Sequence, residues 1–113
     1  RTVNLKTGMV LTPLGRGLFD FGDADGHVDD ALLQHCVGLE IIDSDVYIAD
    51  TYNGKIKKLD VSRNKVSTLA DGLSEPNDIT FINGKLWATS TNSHQLYQID
   101  LTTGEKQEVV VQL

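Results

Sequence analysis

A chain of 113 residues with a formal net charge of −6 and a pI near 4.8 lacks the clustered Lys and Arg that a phosphate backbone demands, so no nucleic-acid partner is expected. Its single cysteine, Cys36, excludes an internal disulfide and matches the cysteine usage of a reducing compartment. No apolar run approaches the length of a membrane span or a signal-peptide core, and no membrane partner is expected either.

From the N-terminus, residues 2–5, the turn Lys6-Thr7-Gly8 and residues 9–14 read as a hairpin. They resemble a later stretch in which Ile99-Asp100-Leu101-Thr102-Thr103-Gly104 leads into Val109-Val110-Val111. Residues 15–36 read as a long polar loop in which residues 29–36, with only Ala31, Leu32 and Leu33 as an apolar cluster, allow one helical turn at most. Four short strands follow at about 38–42, 46–50, 55–60 and 65–70, separated by Asp43-Ser44-Asp45, Tyr52-Asn53-Gly54 and Ser62-Arg63-Asn64. These short polar residues and glycine tolerate the left-handed backbone of tight turns. Residues 77–113 repeat the pattern with turns at Asn83-Gly84, Asn92-Ser93-His94 and Thr103-Gly104.

The repetition has an offset of forty residues without a gap: 46–51 falls on 86–91 and 56–60 on 96–100, with Ile42/Ile82, Thr51/Thr91 and Asp60/Asp100 identical. Four antiparallel strands at such a period predict an all-β chain of β-propeller blades rather than a sandwich, whose connections would not recur at a fixed spacing. Residues 1–14 are then the outer hairpin of a preceding blade, 15–36 an inter-blade loop, 37–76 a complete blade with its linker, and 77–113 a second blade.

Propeller rings close with about four to eight blades, so this chain forms only part of a ring. Unmet flanks are expected to expose side chains such as Leu59, Ile79, Phe81, Trp87 and Ile99, each worth about 1.5–3 kcal/mol when buried. Such exposure predicts association with further blades of a parent chain, with a second copy, or with another protein. The mid-blade beginning and missing start methionine favour an excerpt of a longer chain.

Connections after the second strand of each blade and those between blades emerge on the same end of a ring, and that end collects the polar residues. It holds Asp23, Asp25, Asp29 and Asp30 from the long loop, Asp50, Thr51, Tyr52 and Asn53 from one hairpin, and Thr91, Asn92, Ser93 and His94 from the next. Asp25, Asp29, Asp50, Tyr52, Asn53, Asn92 and His94 are the candidate partner-binding residues, because contacts concentrate on loops held by a rigid scaffold. The 23–30 acidic run is not an EF-hand: with Gly26 at the glycine position, Phe21 and Leu32 fall on ligand positions. Lys55, Lys57 and Lys58 read as a solvated edge that discourages strand pairing. Cys36 reads as a core residue and His35 as a surface or capping one, since neighbours on an extended chain point apart. His27, His35 and His94 are scattered and no Gly-x-Ser-x-Gly elbow occurs, so no catalytic residue is expected. Tyr47 and Trp87, at matching second-strand positions, are expected to pack between blades.

Residues 46–60, Val-Tyr-Ile-Ala-Asp-Thr-Tyr-Asn-Gly-Lys-Ile-Lys-Lys-Leu-Asp, and 65–70, Lys-Val-Ser-Thr-Leu-Ala, closely resemble the NHL repeat. That pattern runs through a valine-alanine-aspartate-threonine core to a closing threonine-leucine-alanine-glycine. Asp25-Gly26, Ala31-Leu32 and Val37-Gly38-Leu39 resemble the family's inter-blade loop and next inner strand, so the likeness covers nearly the whole chain. Two positions depart from it. Cys36 stands where the family carries proline, kept at Pro76, and reads as a small buried substitute; Ser90 replaces the aspartate found at Asp50. The resemblance is nearest to NHL propellers joined to thioredoxin-like domains, although no thioredoxin motif occurs here. It implies a non-catalytic protein-interaction or scaffold module without a cofactor. The alternative is a metal-dependent lactonase-like or lyase-like propeller. Gluconolactonase-like propellers use a Pro-Asn-Asp turn similar to Pro76-Asn77-Asp78 to hold a divalent metal such as calcium or zinc, with Glu40 as the other acidic candidate.

Overall fold

Residues 1–112 are described by a computed structural model. Strands β1 (Thr2–Val3) and β2 (Val10–Leu11) pair as an isolated hairpin, and the long loop contributes β3 (Gly26–His27). The first blade contains β4 (Gly38–Ile42), β5 (Asp45–Asp50), β6 (Lys55–Asp60) and β7 (Lys65–Ala70). The second contains β8 (Pro76–Ile82), β9 (Lys85–Ser90), β10 (Gln95–Ile99) and β11 (Lys106–Glu108). Every pairing is antiparallel between sequence neighbours within each blade, and no α-helix occurs among the described residues. The protein is therefore all-β, built as consecutive four-stranded propeller blades.

Local chemistry sets the connections. Asn83 and Gly84 both take positive φ, 49° and 79°, the two-residue turn whose twist suits the flanking strands β8 and β9. Between the second and third strands of each blade the chain makes a 3-10 turn, Thr51–Asn53 and Thr91–Ser93, closed by a left-handed residue, Gly54 or His94.

Packing between the blades follows from the period of two. Ala49 lies opposite Ile56 and Tyr47 opposite Lys58, so Tyr47, Ala49, Ile56 and Ala70 present one flank of the first blade. Against it lie Ile79, Leu86, Ala88 and Ile99 of the second blade, with Leu73 of the linker between them. The inner strands approach so closely that a Cβ on Gly38 would stand 2.5 Å from the Asn77 carbonyl oxygen.

The opposite flank of the first blade, with Val46, Ile48, Leu59 and Val66, is covered by Val28, Ala31 and Leu33 of the long loop. There β3 pairs with β7 as a fifth strand, Gly26 opposite Val66, and blunts the outer edge.

The expected pattern of exposure needs correction. Leu59, Ile79 and Ile99 are buried. Open apolar positions on the inner strands and just before them include instead Val37, Leu39 and Ile41, the latter two 62% and 63% exposed, together with Phe81. Trp87 is half-buried and does not join the inter-blade cluster as Tyr47 does. It pairs with Thr80 and Gln98 on the flank of the second blade that faces away from the first.

Candidate functional site

The two 3-10 turns, the linker before β8 and the 15–36 loop meet at one end of the blades. Asp50, fully buried at the end of β5, organises this rim. One carboxylate oxygen accepts the Gln34 backbone N–H at 2.7 Å and the Cys36 thiol at 3.6 Å. The other accepts Asn53 Nδ2 at 2.8 Å, and Asn53 also donates to the Gly22 carbonyl at 2.6 Å. Ser90, the departure from the repeat pattern, does the same work in the second blade: its hydroxyl accepts the Ser74 N–H at 2.8 Å and the Ser93 hydroxyl at 2.8 Å. In both blades the side chain that ends the second strand anchors the incoming linker. Thr51 completes the anchor by donating to the Pro76 carbonyl at 2.7 Å.

Beneath the loop lies a cluster of charges that overturns the reading of the lysines as a solvated edge. Strand β6 runs between β5 and β7, and Lys57, opposite Ile48, points into the loop-covered flank, where none of its side chain is exposed. Its ammonium donates to Asp23 at 2.6 Å and to Asp25 at 3.0 Å, and lies 3.9 Å from Asp50. Lys55 joins Asp23, and Lys58 pairs with Asp45 at 3.0 Å on the other flank. Asp25 also accepts the Thr68 N–H and hydroxyl, at 2.9 and 2.8 Å.

Hydrogen bonds from Lys55 and Lys57 hold the Asp23 carboxyl below its ordinary pKa. For Asp25, burial pushes upward, but the bonds from Lys57 and Thr68 outweigh it and the net shift is downward. Burial likewise opposes the charge of Lys57, and the two aspartates more than compensate, raising its pKa. Sequence reasoning missed this cluster, although Asp23 and Asp25 at i, i+2 and the parity of Lys57 with the core residue Leu59 were its signals.

The candidate partner-binding residues thus divide. Asp25, Asp50 and Asn53 spend their polar groups inside the protein, while Asp29, Tyr52, Asn92 and His94 face solvent. Tyr52 stacks on His35 with ring centres 4.3 Å apart and planes 13° apart. Beside the pair opens a cavity of about 550 Å³ lined by Leu14, Leu18, Phe21, Leu33 and the two stacked rings. Of its lining, Leu18 and Phe21 are exposed, an apolar contribution that the Leu-Phe-Asp-Phe run signalled. Cys36 is not the core residue expected. It is exposed as a whole, with its thiol turned inward, where burial and then the Asp50 carboxylate push its pKa up to about 12.

Asn77 and Asp78 are exposed at the start of β8, and Asp78 caps the Ile79 N–H at 3.0 Å. Glu40 accepts the Phe81 N–H at 3.3 Å across the blade junction. Among the described residues no group of three or more His, Cys, Asp or Glu side chains is gathered as metal ligands would be.

Comparison with known proteins places this architecture. The chain is 40% identical over 132 aligned residues to the protein SUPPRESSOR OF QUENCHING 1, chloroplastic, of Arabidopsis thaliana, covering 97% of this chain and 12% of that protein. It is 35% identical to human NHL repeat-containing protein 2 over 128 aligned residues, covering 91% of this chain and 18% of that protein. A solved structure from Bacteroides thetaiotaomicron, of unknown function, shares the fold with a TM-score of 0.67 at 16% identity, over 79% of this chain and 23% of that one. The chain therefore spans a small part of the relatives that it matches. The family described as a repeat of unknown function (DUF6923) matches residues 20–113, and the chain belongs to it, as an NHL-type repeat module.

Proposed function

We propose that this module is a non-catalytic protein-interaction scaffold that needs no cofactor, and that it meets its protein partner at the rim. The observation that carries the reading is the stacked His35–Tyr52 pair beside an open apolar cavity lined by Leu14, Leu18, Phe21 and Leu33. Aromatic side chains of this kind dominate protein interfaces, because they bury large area at low entropic cost. The neighbouring acidic groups do not compete for this role, since Asp23, Asp25 and Asp50 are engaged by Lys55, Lys57 and backbone donors. The resemblance to thioredoxin-associated propellers extends the reading to a parent protein in which this scaffold holds a partner near such a domain.

Photocrosslinking tests it. A crosslinker at position 52 of the parent protein is expected to trap one discrete partner, lost on Phe21→Ala, while one at position 63, at the opposite end of the strands, traps none. Equal, nonspecific labelling from both positions would remove the rim as the contact. Calcium and zinc titrations separate the enzymatic alternative: tight one-to-one binding abolished by Asn77→Ala and Asp78→Ala would replace the scaffold reading.

A further inference from the structure

At the rim the two blades share one backbone scaffold and carry different side chains on it. In the first, the buried Asp50 carboxylate accepts the Gln34 N–H at 2.7 Å, and the Gln34 carbonyl accepts the Tyr52 N–H at 3.2 Å. At the equivalent positions of the second, the buried Ser90 hydroxyl accepts the Ser74 N–H at 2.8 Å, and the Ser74 carbonyl accepts the Asn92 N–H at 3.2 Å. Each blade therefore sets one linker residue beside the middle residue of its 3-10 turn. The linker residues are His35 and Glu75, both left-handed with φ of 56° and 49°, and their neighbours are Tyr52 and Asn92. All four are exposed.

The chemistry of the two pairs differs. His35 and Tyr52 stack on each other and present aromatic area, which suits an apolar side chain. Neither the Glu75 carboxylate nor the Asn92 amide takes part in a side-chain hydrogen bond or ion pair among the described residues. Lys55 and Lys57 do not neutralise Glu75, because both are held by the loop aspartates Asp23 and Asp25. A free carboxylate beside an amide oxygen is an acceptor pair that matches the N–H donors of a guanidinium or an ammonium.

We infer that the rim reads its partner through these two pairs in succession: an apolar side chain of the partner segment meets His35 and Tyr52, and a neighbouring basic one meets Glu75 and Asn92. The occupant is thus a basic, apolar segment of another protein, whose charge complements the net −6 of this chain. Asp50 and Ser90 touch no partner and act as positioning residues, because each fixes the linker against the turn of its own blade. This assignment rests on the rim as the contact surface, which the crosslink from position 52 tests by itself.

Fluorescence anisotropy of the parent protein with labelled peptides of alternating Phe and Arg, alternating Phe and Glu, and alternating Ser and Arg tests it. The Phe-Arg peptide is expected to bind at least about tenfold more tightly than either of the others. Tyr52→Ala weakens that binding about tenfold, and Glu75→Gln weakens it about threefold, as befits an exposed ion pair. Glu75→Lys adds repulsion of similar size and removes the preference for Phe-Arg over Phe-Glu. Glu105→Lys, at the opposite end of the strands, changes the net charge equally and leaves that preference in place. Equal wild-type affinity for the Phe-Arg and Phe-Glu peptides, or an equal loss of preference in Glu105→Lys, would overturn the basic partner even where the crosslink at position 52 forms. Binding unchanged by Tyr52→Ala would overturn the aromatic half of the readout.

Discussion

Lys57 fixes the long loop, because its buried ammonium lies among three carboxylates, and two of them, Asp23 and Asp25, belong to that loop. Lys57→Met leaves Asp50 buried without its cation, while the partly exposed Asp23 and Asp25 can turn to water. A loss of about 3 kcal/mol in urea unfolding is expected, at the low end of the cost of breaking a buried pair. The pH dependence has a definite sign. Both loop aspartates titrate below their ordinary 3.8 in the folded protein, so their contribution is complete above that value and is lost as pH falls through the folded values. Lys57 is raised above 10.5, so its contribution persists below that value and is lost only as the pH rises beyond it. Thermal melts below about pH 4 should therefore fall more steeply in wild type than in Lys57→Met. Gly54 offers a second test at this scale. With φ of 66° and the Leu73 carbonyl oxygen 2.4 Å from any Cβ, Gly54→Ala must displace the linker, whereas Gly8→Ala at φ of 73° meets open space. The latter is expected to cost about 1–2 kcal/mol for the left-handed backbone alone, and the former at least about 1 kcal/mol more.

At the level of strands, equivalence in sequence does not mean equivalence in environment. Tyr47 and Trp87 match across the repeat, but Tyr47 is 4% exposed between blades while Trp87 lies half-buried on the outward flank. Tyr47→Ala should cost about 3–5 kcal/mol and Trp87→Ala about half as much, despite the larger side chain removed. Equal losses in chemical denaturation would contradict this placement. The same contrast explains what could be read in advance. The first blade's strands match their expected bounds to within a residue, because alternation and Asn-Gly or Asp-Ser turns are local signals. Strand β3 was not legible: Gly26–His27 is two residues long and exists only because β7, some forty residues away, offers an open edge. Lys57 was misread for a related reason, since composition marks a lysine as exposed and only the fold brings Asp23 and Asp25 over it. Of the rim, the loop ends were legible from strand alternation. The inward use of Asp25, Asp50 and Asn53 was not, because it depends on where Gly22, Gln34 and Thr68 arrive.

For the molecule as a whole, stability is distributed as in other repeat proteins, through each unit's own strands and the single junction that joins them. The junction buries Tyr47, Ile56, Leu86 and Ile99 nearly completely, while the inner strand of the first blade leaves Leu39 and Ile41 in water. A substitution repeated at matching positions should therefore give opposite results. Ile79→Ala empties a covered site and is expected to cost about 2–5 kcal/mol, with loss of cooperativity between blades if the junction opens first. Leu39→Ala removes a side chain that contributes little in the isolated chain and should shift unfolding by no more than about 0.5 kcal/mol. If a blade that fits is supplied against the open flank, Leu39 becomes the equivalent of Ile79 and its replacement should become as costly. Urea titrations of both variants, alone and within a chain extended by one preceding blade, check the reversal. A Leu39→Ala cost that stays small in the extended chain would mean that neighbouring blades do not meet on this flank.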